Sequence, residues 1–293
     1  MDKRKGVMLS LLTSLFWGVM GVFSRNLLDA GFSALDVSFL RCLVAGIGLM
    51  AFSAVFKRDI LKISVRGLLI ALVYGALAYS LSFYTYSLSV ERIPIGVATV
   101  LMFMSPIWVS VLGAIFFKER LGRFKWSMIA VCIFGGVLVS NVIGSAVGKL
   151  DALGVTAGII NGFGVALQLM IPRYFADRYA RESLLCYGLL GAALVLCPFV
   201  DFSFAAGAFS GGEGGWILLN ILVVGGVCTL LGNGFYVKAS EYIGTAATSM
   251  LVATEIIIAA VMGYLIYGET INALQLTGFV LIIGAVMLFR RKD

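Results

Sequence analysis

A single carboxylate lies near the middle of a long apolar stretch, and it is the side chain in this sequence best suited to chemistry. Glu255 stands inside residues 241–270, which are apolar for about as many residues as a membrane-spanning helix needs. A carboxylate at that depth is costly and is expected to face the protein interior or a water-filled cavity. It could bind and release a proton, hold a cationic group of a substrate, or serve as a structural acid bonded to a neighbouring helix. We predict Glu255 as a substrate-binding residue and as the candidate for proton coupling.

The same stretch occurs once before, 150 residues earlier, as residues 91–120. The centre of this first copy, Ser105-Pro106, falls on Glu255-Ile256 of the second. A proline inside a helix removes one backbone hydrogen bond and kinks the helix. The kink could open a carbonyl onto a cavity, or it could be a packing kink without function, because prolines are tolerated in membrane helices. We predict Ser105 at a cavity wall.

A second pair of repeated segments carries a face that would suit the wall of a cavity. Tyr79, Phe83 and Tyr86 share one helical face at spacings of four and three residues. The equivalent face 150 residues later carries Thr229, Asn233 and Tyr236. The alternatives are interhelical packing for the aromatic rings, an interhelical hydrogen bond for the amide, and interface anchoring for the two tyrosines near span ends.

Three further residues complete the predicted site. Trp17 lies at mid-depth in the first apolar stretch, and Asn161 and Gln168 are seven residues apart on one face of the sixth. The two amides could face a cavity or join helices. Glycines at four-residue spacing in the sixth stretch, 154, 158 and 162, predict close helix packing. The predicted substrate-binding residues are therefore Trp17, Tyr79, Phe83, Ser105, Asn161, Gln168, Asn233 and Glu255.

Arg41 is the basic residue that lies farthest inside an apolar stretch, about seven residues from its start. It could extend outward to the membrane surface, pair with Asp36 or with a glutamate on the outer side, or bind a substrate carboxylate. The first two are favoured, because long basic side chains near helix ends usually behave in this way. Glu119 and Glu269 close the two copies and are expected to cap a helix or form a bridge at the interface.

The composition is that of a helical integral membrane protein. Hydrophobic residues make up 61% of the 293 residues and charged residues 13%, against roughly 25% charged in soluble domains. The absence of histidine removes histidine-based catalysis and histidine metal sites. We predict no cofactor and no metal. The basic and apolar N-terminus is interpreted as a first span rather than as a cleaved signal peptide.

Ten apolar stretches predict ten transmembrane helices in a lipid bilayer. They repeat as two halves of five, residues 1–147 and 148–293, with the boundary near residues 145–151. An odd number of spans inverts the second half relative to the first, and inverted repeats are typical of secondary transporters. The predicted spans are 7–24, 34–56, 66–88, 94–117, 124–141, 152–171, 183–200, 216–238, 244–267 and 273–289.

The distribution of basic residues predicts the orientation. With the N-terminus in the cytoplasm, 18 of the 22 lysines and arginines lie on the cytoplasmic side, which agrees with the positive-inside rule. Both termini are then cytoplasmic, and residues 201–215 lie outside. The net charge of +7 is a topology signal, and its dispersal over short loops argues against binding to nucleic acid.

The chain resembles the EamA-type carriers of the drug/metabolite transporter superfamily. The resemblance rests on Trp17-Gly18, on FLRCLVAG with Arg41, on SPIWVSVLGAIFFKERL, and on the copy TEIIIAAVMGYLIYGET. Glu255 and Glu269 stand at the acidic positions of the family's Glu-Pro…Gly-Glu pattern, but Ile256 replaces the usual proline. The resemblance implies efflux or exchange of small metabolites through a central cavity lined by spans 1, 3, 4, 6, 8 and 9.

These patterns predict a secondary active transporter of the bacterial inner membrane that works by alternating access. It would export or exchange small organic metabolites, such as amino acids or amphipathic drugs, with protons as a candidate coupling ion. A monomer is expected, and a dimer is left open. The alternatives are a passive channel or facilitator and, with less support, a membrane-embedded enzyme, for which no nucleophile motif or acidic cluster is present.

Overall fold

The computed structural model describes residues 3–93, 95–139, 151–202, 214–268 and 271–291. The described residues form helices and contain no strand. The first five helical elements are α1 Lys3–Asp29, α2 Ala34–Phe56, α3 (Val65–Tyr74, Gly75–Ser80 and Leu81–Arg92), α4 (first half Ile95–Met102, second half Ser105–Phe117) and α5 Arg123–Val139. The next five are α6 Ala152–Tyr174, α7 Arg181–Leu196, α8 (Gly214–Leu222, Val223–Leu231 and Gly232–Ile243), α9 (first half Thr245–Val252, second half Glu255–Tyr267) and α10 Ala273–Arg291.

Eight helical stretches within the described residues are long and apolar enough to cross a membrane, and Ala273–Phe289 is a shorter apolar helix. The protein is thus a multi-pass membrane protein. The described part of α5 ends at Val139. The predicted repeat boundary, most of the predicted outer loop 201–215, and Glu269 lie outside the described residues.

The helices α4 and α9 are each broken at their centre, at positions 150 residues apart. In α4 the amide of Met104 donates to the carbonyl of Leu101 at 3.2 Å, and in α9 the amide of Thr254 donates to the carbonyl of Leu251 at 3.2 Å. Both helices also end alike, because Lys118 and Gly268 adopt left-handed backbone angles, with φ of 55° and 67°. The predicted kink in span 4 is therefore a complete break, and span 9 shares it.

The described residues form two main apolar cores. One joins α2, α3 and α7, and the other joins α4, α5, α9 and α10. A smaller cluster between them contains Leu169 of α6, Tyr236 of α8 and Val252 of α9, with Trp17 of α1 packed against it. The site described below surrounds this smaller cluster.

Helix packing crosses between the two halves of the chain. The helix α5 packs against α10, α1 packs against the last part of α8, and α6 packs against the last part of α3. The glycine seam predicted in α6 is confirmed, because a Cβ at Gly162 would lie 2.7 Å from the carbonyl oxygen of Leu101, and one at Gly158 would lie 2.6 Å from the Leu101 side chain.

Candidate functional site

Glu255 begins the second half of α9, directly after the break. The residue is half-buried, and its Oε2 atom is buried with no hydrogen-bond partner in the described part of the chain. The helix α1 holds the break in place. The hydroxyl of Thr254 donates to Ser14 Oγ at 3.0 Å, and a Cβ at Gly18 would lie 3.1 Å from the carbonyl oxygen of Glu255. The carboxylate is therefore presented from a packed backbone.

The rings of Trp17 and Tyr236 pack against one another beside this break, with their planes tilted by 57°. Their ring centroids are 4.9 Å apart, and Tyr236 is 1% exposed. The interpretation of Tyr236 as an interface anchor is wrong, because the ring is enclosed by α1, α6 and α9 instead of reaching the membrane surface. Tyr236 also lies close enough to Glu255 to interact with it electrostatically. Together they form one wall of the candidate site.

Tyr79 and Gln168 are joined through Tyr74. The hydroxyls of Tyr74 and Tyr79 are 3.1 Å apart, and that of Tyr74 donates to the backbone carbonyl of Gln168 at 3.0 Å. The side-chain amide of Gln168 donates to the carbonyl of Ala78 at 3.1 Å. These bonds join α3 to α6.

The remaining predicted residues occupy four places. Asn161 donates to the carbonyl and hydroxyl of Ser82, at 2.7 and 3.0 Å, and so joins α6 to α3. Asn233 donates within α8 to the carbonyl of Thr229 at 2.8 Å. Ser105 is buried at the start of the second half of α4. Phe83 lies beside Tyr79, with ring centroids 6.1 Å apart.

Unpartnered polar atoms distinguish the predicted site. Most buried polar groups in proteins have hydrogen-bond partners, and each exception needs an explanation. Five of the eight predicted residues carry a buried polar atom without a partner among the described residues. These atoms are Trp17 Nε1, Asn161 Oδ1, Gln168 Oε1, Asn233 Oδ1 and Glu255 Oε2. One indole donor, three amide acceptors and one carboxylate could together recognise a polar organic molecule.

Arg41 points into the bundle instead of outward, which neither favoured prediction anticipated. Its Nε donates to Thr229 Oγ1 at 3.0 Å, and its guanidinium carbon lies 4.1 Å from the centre of the Phe83 ring. Asp36, the expected partner, is engaged by Ser33 in a capping box at the start of α2. The conformation of Arg41 is therefore set by α3 and α8.

Charged residues close one end of the bundle. Arg173 of α6 lies 2.6 Å from Glu119, which follows α4, and donates to Thr245 of α9 at 2.9 Å. This confirms that Glu119 forms a bridge at the end of its span. Nearby, Lys238 of α8 lies 2.6 Å from Glu241. We call these residues the ionic rim. The contacts of Arg173 tie together the ends of α4, α6 and α9, and the pair of Lys238 and Glu241 lies within α8.

Sequence reasoning missed Arg41, Tyr74 and Tyr236 as members of the site. Tyr74 and Tyr79 are five residues apart and so fall on different faces of an ordinary α-helix. They meet because Gly75–Ser80 forms a π-helical turn, in which equivalent positions are five residues apart. A second π-helical segment, Val223–Leu231, shifts the faces of α8. The buried tyrosines could have been found only by allowing for this change of period.

Comparisons with known proteins agree with this architecture. The sequence profile of the EamA-like transporter family matches residues 4–142 and again residues 152–291. A solved crystal structure superposes on the chain with a TM-score of 0.76 at 16% identity, covering 99% of both chains, which shows a shared fold.

Several relatives of similar length are transporters by name. The pseudopaline exporter CntI of Pseudomonas aeruginosa (strain UCBPP-PA14) is 24% identical over 288 residues, which are 98% of this chain and 96% of that protein. The inner membrane transporter YicL of Salmonella typhimurium is 25% identical over 291 residues, 97% of this chain and 95% of its own. The threonine/homoserine exporter RhtA of Escherichia coli is 27% identical over 244 residues, 82% of this chain and 77% of its own.

The resemblance predicted from the sequence is thereby confirmed. The two matches to the family cover most of the chain, and the named relatives extend over nearly all of it. The chain belongs to the EamA-like transporter family, and it is a multi-pass membrane transporter rather than an enzyme.

Proposed function

We propose that the protein is a secondary active transporter that exports or exchanges small organic metabolites across the bacterial inner membrane by alternating access. The observation that carries the proposal is that five predicted site residues, on α1, α6, α8 and α9, carry a buried polar atom without a partner among the described residues. A polar organic molecule would supply the missing hydrogen bonds. The names of two relatives, exporters of pseudopaline and of threonine and homoserine, support small organic substrates such as amino acids.

The proposed architecture is ten spans in two inverted five-helix repeats, residues 1–147 and 148–293. The two separate family matches support it, as do the matched breaks of α4 and α9. The packing is reciprocal as well: α1 contacts the last part of α8, and α6, which lies one repeat after α1, contacts the last part of α3. A two-fold axis in the membrane plane would produce such exchanged pairs, and transporters of this design bind substrate near the midplane.

The ionic rim supports alternating access. Its Arg173 contacts join the ends of α4, α6 and α9 on the side proposed to be cytoplasmic. A substrate that leaves or enters on this side requires these contacts to separate. Exposed or half-exposed ion pairs are worth about 0–1 kcal/mol each, so their opening would be inexpensive compared with the separation of an apolar core.

The experiment that tests the proposal is counterflow in proteoliposomes. Vesicles containing the purified protein are loaded with the small-molecule extract of cells, and the metabolites that leave the vesicles are identified by mass spectrometry. Labelled samples of those metabolites are then offered outside preloaded vesicles. A carrier gives transient uptake that depends on unlabelled substrate inside, and the rate saturates. A linear flux that is indifferent to internal substrate would instead identify a channel or facilitator.

The proposed orientation has both termini in the cytoplasm. Single cysteines at Lys3 and Ser210, in a background lacking the five native cysteines, would be probed with an impermeant thiol reagent in intact cells. We expect labelling at position 210 and protection at position 3 until the cells are permeabilised. The opposite pattern would reverse the orientation and place the ionic rim outside.

A further inference from the structure

Arg41 is a charged residue within the bundle for which the function proposed above requires no role. Its guanidinium is held from two directions. Thr229 Oγ1, 3.0 Å from Nε, is itself oriented by donating to the carbonyl of Val224 at 2.7 Å. The Phe83 ring covers one face of the guanidinium at 4.1 Å. A long and flexible side chain is thus fixed in one orientation.

The charge of Arg41 has no counter-ion among the described residues. The titratable side chains close enough to interact with it are Cys42, Cys228 and Tyr79, which are all neutral at pH 7 in their ordinary state. Asp36 lies one turn away, but it accepts from Ser33 and from the backbone of Asp201. An arginine stays protonated in proteins, so a full positive charge stands among neutral groups.

The usual structural explanations do not account for this arrangement. An arginine that serves only to anchor a helix reaches the membrane surface or pairs with an acid. Arg41 instead turns toward α3 and α8, where Nε is engaged and the two terminal nitrogens have no partner within the described residues. Removing one partner from a buried charge pair is strongly destabilising. The arrangement becomes favourable when an anion binds the two terminal nitrogens of Arg41.

We infer that Arg41 forms a binding subsite for the carboxylate of the transported molecule, with Thr229 as its positioning residue and Phe83 and Tyr79 as its walls. This inference rests on the proposed function and specifies its substrate class. The two free terminal nitrogens form the fork that receives a carboxylate through parallel hydrogen bonds.

A singly charged anion fits this subsite better than a phosphate monoester. One cation can neutralise one negative charge, whereas a phosphate monoester carries about −1.5 to −2 at pH 7. The surplus charge would remain in surroundings of aromatic rings, thiols and hydroxyls, where uncompensated charge is costly. The substrates we expect are therefore molecules with one carboxylate, either amino acids or simple monocarboxylates.

Matched acids and esters test the inference on the purified full-length protein in lipid nanodiscs. The probes are the common neutral amino acids, the straight-chain monocarboxylates of two to six carbons, and the methyl esters of both sets. Binding is measured as the ligand-dependent rise in melting temperature. We expect at least one acid to bind about tenfold or more tightly than its ester, because the ester cannot accept two charge-assisted bonds from the fork. The comparison of amino acids with monocarboxylates shows which of these two classes the subsite binds.

Substitutions test whether Arg41 and Thr229 cause the preference for acids over esters. Arg41→Gln should weaken binding of the acid far more than binding of the ester, and so remove the advantage of the acid. Arg41→Lys keeps the charge but loses the fork, and should keep part of the advantage. Thr229→Val should reduce it by a smaller factor while leaving the ester unchanged. The control is Arg25→Gln, because Arg25 also lies over an aromatic ring, that of Tyr267 at 4.4 Å, but is exposed.

The outcomes separate this inference from the proposed function. If the metabolites exported from proteoliposomes carry no carboxylate, or if acids and esters bind equally well to the wild-type protein, the subsite is wrong while the transporter proposal stands. If nothing is exported or exchanged, the proposed function fails instead. The comparison of acid with ester in the wild-type protein remains decisive even if Arg41→Gln does not fold.

Discussion

In α4 the break is followed by Ser105 and Pro106, whereas in α9 it is followed by Glu255 and Ile256. The backbone at the two places is the same. Each break carries an amide-to-carbonyl bond across three residues at 3.2 Å, and the amide that caps each helix end bonds to a glycine carbonyl five residues back. The proline of α4 therefore cannot be the general cause of the break, because α9 breaks without one.

Packing offers a cause that both breaks share. Small residues of a neighbouring helix lie against each one: Gly162 of α6 lies at the carbonyl of Leu101, and Gly18 of α1 lies at the carbonyl of Glu255. With the backbone set in this way, the side chains that follow the break are free to differ. One half of the chain places a small neutral hydroxyl there, and the other half places a carboxylate.

The largest expected effect comes from filling the space at Gly162. A Cβ there would lie 2.7 Å from a backbone carbonyl oxygen, which cannot move aside as a flexible side chain can. Overpacking of this kind costs about 1–3 kcal/mol. We expect Gly162→Ala to lower the melting temperature and the yield of monodisperse protein, measured by size-exclusion chromatography after heating. Gly18→Ala should behave similarly, because a Cβ there would lie 2.7 Å from Ile258.

The matched control for both glycine variants is Gly21→Ala. Gly21 lies one turn after Gly18 on α1, and a Cβ there would meet no atom within 4 Å. This variant should be neutral or more stable, by up to about 0.5–1 kcal/mol from helix propensity. Equal losses in all three variants would show that the breaks do not depend on close packing.

The second prediction contrasts the two side chains that follow the breaks. Glu255→Gln keeps the shape of the carboxyl group but cannot exchange a proton. If the carboxylate couples transport to protonation, the variant should still exchange substrate between the two sides of a vesicle. Accumulation driven by a pH gradient should fall by about tenfold or more, which corresponds to about 1.4 kcal/mol of lost coupling. The measurement is substrate uptake with and without an imposed pH gradient.

Ser105→Ala is the control, because Ser105 stands at the equivalent position in the other half and carries no charge. It should keep its pH response, although its rate can change if the hydroxyl contacts substrate. A wild-type pH response in Glu255→Gln at equal protein level would reduce Glu255 to a substrate contact or a structural acid. A lost response in both variants would mean that the break, and not the carboxylate, carries the coupling.

The sequence predicted an all-helical membrane protein, because long apolar stretches and their 150-residue repeat are strong signals. Five of the predicted site residues carry an unpartnered buried atom, but Ser53, Ser89 and Trp108 carry one as well and were not predicted. The sequence could not predict which residues of α3 and α8 face inward beyond their π-helical turns, because such a turn changes the spacing between residues that share a helical face. The direction of Arg41 depends on these faces, because its partners are Phe83 of α3 and Thr229 of α8.

The smallest effect is expected for Pro106→Ala. Pro106 lies at the start of the second half of α4, where a helix has no intrahelical use for the missing N–H and proline is well tolerated. If packing by α6 makes the break, alanine should leave it in place and change the rate of exchange by no more than about twofold, which is less than 0.5 kcal/mol. Some stability should be lost, because the proline ring is buried and its removal leaves space. The rate of counterflow and the melting temperature are measured for Pro106→Ala and Gly162→Ala in parallel. They show whether packing by α6 or the proline makes the break. If Pro106→Ala abolished exchange while Gly162→Ala retained it, the break in α4 would depend on the proline, and its likeness to the break in α9 would have a different origin in each half.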